Sequence, residues 1–318
     1  MTLSAYDGLI ISLGSLVFGL FLLLRSSDAL VGSASFVARR LGLSEFFIAA
    51  TVVAFGTSAP ELFISVNANL GGSPGVAIGN VVGSNTVNVL VILGVTALIF
   101  PLAFRQTMLL RDVSVMVLSS AWLSALVAWG SFGLWSGVAM LVTLAAYVSW
   151  QFFEDVPDRE APGVPDQREE GVGRHLATML ACLAGLVIGT EFLVKGAVSA
   201  GLGLGIPETF VALTVVAVGT ALPEMTTSFL AALRGKGDMV IGNILGSNIF
   251  NVLAIMGVTS AIAPVASANT VGVFDLAVFV GSAVALLAAV WLKGMPRWAG
   301  ALMVAAYAGY VAIQYLVI

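Results

Sequence analysis

An internal repeat constrains the fold of this chain more than any other feature of its sequence. When the sequence is shifted by 163 residues, the stretch 44–101 aligns with 207–264 without a gap, and 30 of the 58 aligned positions are identical. Self-similarity over such a length indicates an architecture built from repeated structural units. The same elements are therefore expected in the same order in both halves of the chain.

The composition is that of a protein embedded in a lipid bilayer. Hydrophobic residues occupy 59% of the 318 positions and charged residues only 9%, whereas soluble domains carry roughly 25% charged residues. A membrane-spanning helix needs about 20 mostly apolar residues, and the sequence therefore predicts an all-α integral membrane protein with ten transmembrane helices. Their limits are 5–38, 45–70, 75–100, 111–130, 133–153, 175–203, 207–233, 239–263, 272–292 and 298–317.

Each half then holds five helices, which is an odd number, so the second half enters the membrane from the opposite side. We therefore predict two inverted-topology repeats, residues 1–153 and 174–318, joined by a loop at 154–173. This architecture is common among secondary transporters, whose substrate sites lie near the midplane between the repeats. The loop carries seven acidic and two basic residues. It is interpreted as a solvated linker, with a regulatory cation site as the alternative.

The distribution of basic residues predicts the orientation in the membrane. If the N-terminus lies outside, the inner ends and loops hold twelve Lys and Arg residues, whereas the outer side holds only Lys195. We therefore expect a multi-pass protein of the cell (inner) membrane with both termini outside and the acidic loop in the cytoplasm. Asp28 and Glu191 are interpreted as partners of Arg25 and Lys195 in local ion pairs, with a gating role as the alternative.

One duplicated motif places a carboxylate next to a proline inside an apolar segment. Residues 56–61 have the sequence Gly-Thr-Ser-Ala-Pro-Glu, and residues 219–224 have the sequence Gly-Thr-Ala-Leu-Pro-Glu. A charged side chain at the bilayer centre costs about 2–3 kcal/mol or more, and proline removes a helical hydrogen bond. Backbone carbonyls just before each proline can turn inward, because proline disfavours helical angles at the preceding residue. The motif predicts a polar site at membrane depth.

A second duplicated motif, rich in Gly, Ser and Asn, lies in the third helix of each half. Ser84 and Asn88 are four residues apart and share a helix face, and so do Ser247 and Asn251. We assign these four residues to the same polar site. Four further asparagines either belong to the site or form hydrogen bonds between packed helices. These are Asn80, Asn85, Asn243 and Asn248.

The ligand chemistry of the two motifs favours a hard cation. The carboxylates of Glu61 and Glu224, together with carbonyl oxygens, can supply the six to eight oxygen ligands that Ca²⁺ prefers. The chain has one cysteine and one histidine, which excludes the thiolate and imidazole clusters that bind zinc or copper. We expect no cofactor, only transported ions.

The motifs resemble those of the cation/calcium exchanger superfamily, and most closely those of prokaryotic sodium/calcium exchangers. The resemblance covers both halves in the same order and implies an antiporter that moves Ca²⁺ in exchange for Na⁺ by alternating access. It also implies that the long first and sixth helices slide against a core of the second, third, seventh and eighth. The implied Ca²⁺ ligands are Glu61, Glu224 and the carbonyls of Thr57 and Thr220. The implied Na⁺ ligands are the carbonyls of Ala54 and Ala217 and the hydroxyls of Ser58, Ser84 and Ser247, with Asn88 and Asn251 facing the centre.

Two residues depart from the pattern of the sodium exchangers. Asn251 stands where an aspartate is common, and Ala221 stands where a hydroxyl is common. The site then holds two carboxylates, which one Ca²⁺, two Na⁺ or two H⁺ would neutralise. Three Na⁺ would leave an excess positive charge at membrane depth, which is costly. A Ca²⁺/H⁺ antiporter using the same site is therefore the alternative.

Two other classes of membrane protein fit the sequence less well. An intramembrane hydrolase needs a nucleophile with its base, or an open metal site, and neither pattern is present in the sequence. A channel needs an open path with weak sites, whereas inverted repeats with broken helices favour alternating access. We expect a transporter rather than an enzyme. Its partners are the ions and the lipid bilayer, with no nucleic acid, and a monomer suffices because each chain encloses its own site.

Overall fold

The computed structural model describes residues 5–104, 106–155, 171–203, 219, 221–267 and 271–317, and nearly all of them are helical. In the first half, several membrane crossings are divided into shorter helices by π-helical segments or breaks. The elements of this half are α1 Ala5–Leu41, α2 Glu45–Ile48, π1 Ala49–Val53, α3 Ala54–Thr57, α4 Ala59–Leu70, α5 Pro74–Val87, π2 Asn88–Leu93, α6 Gly94–Ile99, β1 Leu102–Ala103, α7 Gln106–Trp129, β2 Ser131–Phe132 and α8 Leu134–Asp155.

The second half follows the same order where it is described. Its elements are α9 Val172–Gly203, α10 Leu222–Leu233, α11 Gly237–Phe250, π3 Asn251–Ile255, α12 Met256–Ile262, β3 Val265–Ala266, α13 Val273–Trp291, β4 Gly294–Met295 and α14 Arg297–Val317. The helix expected at 207–233 is described only at 219 and from 221 onwards, and most of the acidic loop also lies outside the described residues.

The structure confirms a multi-pass helical membrane protein. Seven helices in the described part of the chain are long and apolar enough to cross a bilayer, and the bent pair from Glu45 to Leu70 makes eight. The last helix, α14, has 21 residues but is not among these seven. The count of ten crossings therefore stays a prediction, as does the inverted orientation of the two halves.

Two short β-ribbons join the halves to each other in the same way. In one, Leu102 pairs with Met295; in the other, Phe132 pairs with Val265. A shift of 163 residues converts Leu102 into Val265 and Phe132 into Met295. The two ribbons are thus repeat-equivalent, and the correspondence between the halves extends beyond the stretch 44–101.

Small residues allow the two longest helices to pack closely. The long helix α1 has 37 residues and α9 has 32, and they contact each other along much of their length. A Cβ atom at Gly19 would lie 2.5 Å from the backbone nitrogen of Leu193, and one at Gly196 would lie 2.7 Å from the carbonyl oxygen of Ser12. The backbones therefore approach to distances that only glycine permits.

The central element of the fold is the crossing formed by α11, π3 and α12, from Gly237 to Ile262, which is buried from Met239 to Gly257 and exposed only towards its ends. The helix α11 packs against α2, π1 and α10. A Cβ atom at Gly246 would lie 2.3 Å from the carbonyl oxygen of Ala50, so the second-half motif lies directly against the first half.

Two ion pairs connect the first half to the turn between α10 and α11. Asp28 on α1 binds Arg234 in the turn between α10 and α11, and Glu45 binds Lys236 in the same turn. The expected local pair of Asp28 with Arg25 is therefore wrong, because the tertiary fold brings a partner from the other half within reach. The local pair of Glu191 with Lys195 is confirmed, at 2.6 Å.

Candidate cation site

The carboxylates at the centre of the molecule are placed by two equivalent helix breaks. In the first half, the crossing from Glu45 to Leu70 bends by 44° between α3 and α4, at Ser58, whose φ and ψ are −82° and 7°. Ala221 has almost the same angles, −84° and 2°, just before α10. Because Pro60 and Pro223 stand in the first turn after each break, where a missing N–H costs little, the sequence starts a new helix there. Each new helix carries its glutamate in the first turn.

The glycines that open both motifs let α9 pass close to the breaks. A Cβ atom at Gly56 would lie 2.4 Å from the Leu183 side chain, and one at Gly219 would lie 2.2 Å from the Val194 side chain. Both neighbours belong to α9, so a single long helix packs against the break of each half.

Glu61 and Glu224 are each only 1% exposed. The Ser58 hydroxyl donates a hydrogen bond of 3.2 Å to Glu224 Oε1, so the break in the first half contacts the carboxylate of the second. Thr57 also lies beside Glu224, and the two carboxylates are close enough for their charges to interact. The structure therefore brings Ser58 and Thr57 to Glu224, with Glu61 nearby.

The asparagines of the third helices meet across the interface between the halves. Asn85 Nδ2 donates to the Asn248 carbonyl at 2.9 Å, and Asn251 Nδ2 donates to Asn85 Oδ1 at 2.9 Å. Asn88 Nδ2 lies 3.5 Å from Asn248 Oδ1. All four asparagines are at most 2% exposed. Asn85 and Asn248 thus hold the helices together, while Asn88 and Asn251 are positioned by them.

The carboxylate group and the asparagine group belong to one polar centre. The helix α4, which carries Glu61, packs against π3, which begins at Asn251; α10, which carries Glu224, packs against π2, which begins at Asn88. Ser84 and Ser247 are buried one turn earlier on the third helices. In both cases, the helix that carries the glutamate of one half therefore packs against the π-helical segment that begins with the asparagine of the other half.

Five buried oxygen atoms of this centre have no hydrogen-bond partner among the described residues. They are Glu61 Oε2, Glu224 Oε2, Asn88 Oδ1, Asn251 Oδ1 and Ser247 Oγ. Leaving a buried polar atom unpaired costs about 1–3 kcal/mol, so such a cluster indicates a ligand. Carboxylate, amide and hydroxyl oxygens are hard ligands suited to Ca²⁺. Within the described residues, His, Cys, Asp and Glu form no group of three.

Of the backbone carbonyls that the resemblance implies as ligands, those at Ala54 and Thr57 are described, and those at Ala217 and Thr220 are not. The Ala54 carbonyl already accepts hydrogen bonds from the Ser58 N–H, at 3.1 Å, and from the Thr57 hydroxyl, at 3.2 Å. The bend occurs after Thr57 and leaves this helical hydrogen bond in place, so the Ala54 carbonyl stays a predicted ligand that already accepts two hydrogen bonds. Ala217 and Thr220 lie outside the described residues.

Two serines that connect helices next to the site, Ser65 and Ser228, were not predicted from the sequence. Asn80 donates to Ser65 Oγ at 3.0 Å, and Asn243 donates to Ser228 Oγ at 3.0 Å. These equivalent bonds join α4 to α5 and α10 to α11, so Asn80 and Asn243 connect packed helices. Ser65 and Ser228 each follow a site glutamate by four residues and are identical in the two halves, a signal that could have identified them.

The sequence matches the family described as sodium/calcium exchanger protein twice, over residues 11–153 and 174–316. The chain is 35% identical to the putative antiporter CaxA of Alkalimonas amylolytica, with 94% of this chain and 96% of the relative covered. It is 30% identical to the sodium/calcium exchanger MaX1 of Methanosarcina acetivorans, with 95% and 98% covered. A solved structure of the sodium-calcium exchanger NCX_Mj, soaked with 10 mM Na⁺ and no Ca²⁺, is 32% identical, with a TM-score of 0.85 and with 96% and 99% covered.

Two similar halves with membrane-spanning helices, together with relatives named as exchangers and antiporters, define a membrane transport protein for cations. The chain belongs to the sodium/calcium exchanger family. The resemblance inferred from the paired motifs is confirmed.

Proposed function

We propose that this protein is a secondary antiporter that moves Ca²⁺ across the membrane in exchange for Na⁺ by alternating access. The observation that carries this proposal is the cluster of five partner-free buried oxygens contributed by both halves. Glu61 and Glu224 provide the charge that attracts a divalent cation. Because the ligands come from both halves, a relative movement of the halves changes access to the ion. The proposal also takes the halves as inverted repeats, in a chain with ten crossings that functions as a monomer.

The remaining ligands divide between Ca²⁺ and Na⁺ in this proposal. Ca²⁺ is bound by the two carboxylates with the carbonyls of Thr57 and Thr220, and Asn88 and Asn251 face it. The hydroxyls of Ser58, Ser84 and Ser247 and the carbonyls of Ala54 and Ala217 bind Na⁺. The burial of the three serines supports this division.

The number of negative charges limits the exchange ratio. One Ca²⁺ neutralises the two carboxylates, and so do two Na⁺, whereas a third Na⁺ would add an uncompensated charge in the membrane. We therefore infer two Na⁺ per Ca²⁺. The presence of only two carboxylates also favours a second candidate, Ca²⁺/H⁺ exchange at the same site, because two protons satisfy the same balance.

Replacing either glutamate tests the site. In proteoliposomes with an imposed Na⁺ gradient, Glu61→Gln and Glu224→Gln should each reduce uptake of radiolabelled Ca²⁺ at least about 100-fold, since each removes half of the charge that compensates a divalent ion. Glu191→Gln is the matched control, because this exposed carboxylate pairs only with Lys195 among the described residues and should leave uptake near the wild-type rate. Full uptake by either site variant would contradict the assignment.

We further propose that both termini lie outside and that the acidic loop 154–173 is cytoplasmic, in the inner membrane. The basic residues support this orientation, and the ribbons agree with it, because each joins loops that the prediction places on one side. In a Cys182→Ser background, a cysteine introduced at Gln167 should react with an impermeant maleimide only after the cells are opened. Labelling of the cysteine in intact cells would show the opposite orientation, with the loop outside.

A further inference from the structure

A cavity separate from the candidate cation site lies at one end of the last two helices. It has a volume of about 780 Å³ and is bounded by α13, α14 and the β1–β4 ribbon, within the range of about 300–1,000 Å³ that is usual for ligand pockets. Its walls are apolar and include Ala285, Ala289, Met303 and Ala306, and of the described residues that line it only Lys293 is charged. None of the residues assigned to the candidate cation site lines it.

Lys293 has a backbone conformation that is unusual for a residue with a side chain. Its φ is 65°, and within the described chain it is the only non-glycine residue with a positive φ. The equivalent residue in the first half is Gly130, with φ 103°. The two positions play the same backbone role: the Lys293 carbonyl accepts from Phe104 N–H, and the Gly130 carbonyl accepts from Ser267 N–H. A lysine where glycine is the easier choice indicates that its side chain has a function.

Two cations lie at this end of the molecule: Lys293 lines the cavity, and Arg297 stands in the sequence between the lining residues Pro296 and Trp298. Lys293 and Arg297 are both exposed, and in the part of the chain that the structure describes neither forms an ion pair with a carboxylate. Their equivalents in the first half, Gly130 and Leu134, are neutral. Trp298, which is 66% exposed, lies beside them, as expected at the level of lipid headgroups. The charge therefore belongs to this end of the molecule and is not a general property of the repeat.

We propose that this cavity binds an anionic phospholipid, with an acyl chain between α13 and α14 and the phosphate against Lys293 and Arg297. An apolar cavity that opens towards the bilayer fits hydrocarbon, and the two cations fit a phosphate. Anionic lipids are concentrated in the cytoplasmic leaflet, where each Lys or Arg near the surface increases binding about fivefold. In the proposed orientation, both residues lie at that leaflet. The inference goes beyond the transport site, and it rests on the proposed orientation only for the choice of leaflet.

Lipid binding to the purified full-length protein tests this directly. In a neutral detergent, native mass spectrometry should show phosphatidylglycerol binding about 25-fold more tightly than phosphatidylcholine with the same acyl chains. Lys293→Gln and Arg297→Gln should each reduce this preference about fivefold. Arg40→Gln is the matched control, since Arg40 is also an exposed cation at the same predicted face, and it should leave the preference unchanged.

Two further substitutions separate lipid binding from structural damage. Lys293→Gly removes the charge while allowing the observed φ, so the preference should fall about fivefold while thermal stability in lipid-free detergent stays equal or rises. Ala306→Trp fills the cavity and should reduce binding of both lipids, whereas Ala308→Trp, at an exposed position of the same helix that does not line the cavity, should not.

Three results would overturn the proposal. Equal binding of the two lipids by the wild type would remove the role of charge. If glycerol phosphate raises the thermal stability of the protein as much as the lipid does, the site binds a free headgroup instead of a lipid. Dimers that disappear in Ala306→Trp would show that a second copy of the chain occupies the cavity.

Discussion

Ser58 and Ala221 occupy equivalent positions with nearly the same backbone angles, yet only Ser58 can donate a hydrogen bond. Glu224 receives the bond from Ser58. The corresponding bond to Glu61 would have to come from Ala221, which has no hydroxyl. The two carboxylates therefore have different environments although their motifs are nearly identical.

We expect this difference to govern Na⁺ affinity. Ser58→Ala should raise the Na⁺ concentration that gives half-maximal Ca²⁺ flux about five- to tenfold, because it removes a hydroxyl ligand and leaves a Glu224 oxygen unpaired. Ala221→Ser should lower it, because it provides the equivalent hydroxyl beside Glu61. Flux titrations on both variants check this, and the same half-maximal concentration in wild type and both variants would show that neither position contacts Na⁺.

The polar residues of the candidate site could largely be predicted from sequence. Carboxylates and amides inside apolar membrane segments cost free energy, and their presence therefore indicates a binding or packing role. Glu61, Glu224, Asn88 and Asn251 were identified in this way. The bonding of Asn85 to Asn248 could not be predicted, since amide partners depend on which helices meet in three dimensions. Ser65 and Ser228 could have been found from their identity and spacing.

Two equivalent glycines show that the third helices of the two halves are packed differently. Gly246 on α11 faces the Ala50 backbone, whereas nothing lies within 4 Å of a Cβ atom at Gly83, its equivalent on α5. The third helix of the second half therefore packs more tightly against its neighbours than that of the first. The two halves are similar in sequence but differ in packing.

This difference predicts opposite effects of the same substitution. Gly246→Ala should destabilise the protein by at least about 1–3 kcal/mol, because the new methyl group would overlap backbone that cannot move aside easily. Gly83→Ala should be neutral or stabilising by up to about 1 kcal/mol, since alanine favours the helix. Thermal unfolding in detergent measures both, and equal losses of stability would contradict the packing difference.

The positions of the long helices were predictable from apolar length, but their internal irregularities were not. The π-helical segments that begin at Asn88 and Asn251 have no counterpart in residue propensity, and such segments often mark functional sites. The two-residue ribbons were also not predicted, since they depend on loops from different halves meeting at one surface. Local sequence does not contain that information.

The correspondence between the halves extends through the whole molecule. Tyr147 donates to Asp112 at 3.0 Å between α7 and α8, and Tyr310 donates to Asp275 at 2.7 Å between α13 and α14. Both residues of each pair are separated from their equivalents by 163 positions. The repeat could thus have been traced into the fourth and fifth helices from sequence alone. These paired clusters support a repeat that includes the last two helices of each half.

The halves also differ in the ion pairs made by their long first helices. Asp28 on α1 pairs with Arg234 of the second half, whereas its equivalent, Glu191, pairs with Lys195 on its own helix, and the equivalent of Arg234 is Gly71. Both side chains of the Asp28 pair are partly exposed, so the pair contributes little to stability. It does favour one arrangement of α1 against the core, and a transporter that binds ions between its halves needs such a preference to be small and reversible.

The central claim is that two carboxylates exchange one Ca²⁺ for two Na⁺, and the equilibrium accumulation of Ca²⁺ in proteoliposomes tests it most directly. With a tenfold Na⁺ gradient, the Ca²⁺ ratio should reach about 100-fold, because the free energies of two Na⁺ balance that of one Ca²⁺. It should not change when a membrane potential of 100 mV is imposed. Exchange of three Na⁺ would move one net charge, worth about 2.3 kcal/mol at that potential, and would change the ratio about 50-fold. Such a change, or accumulation that follows a pH gradient and ignores Na⁺, would contradict the account.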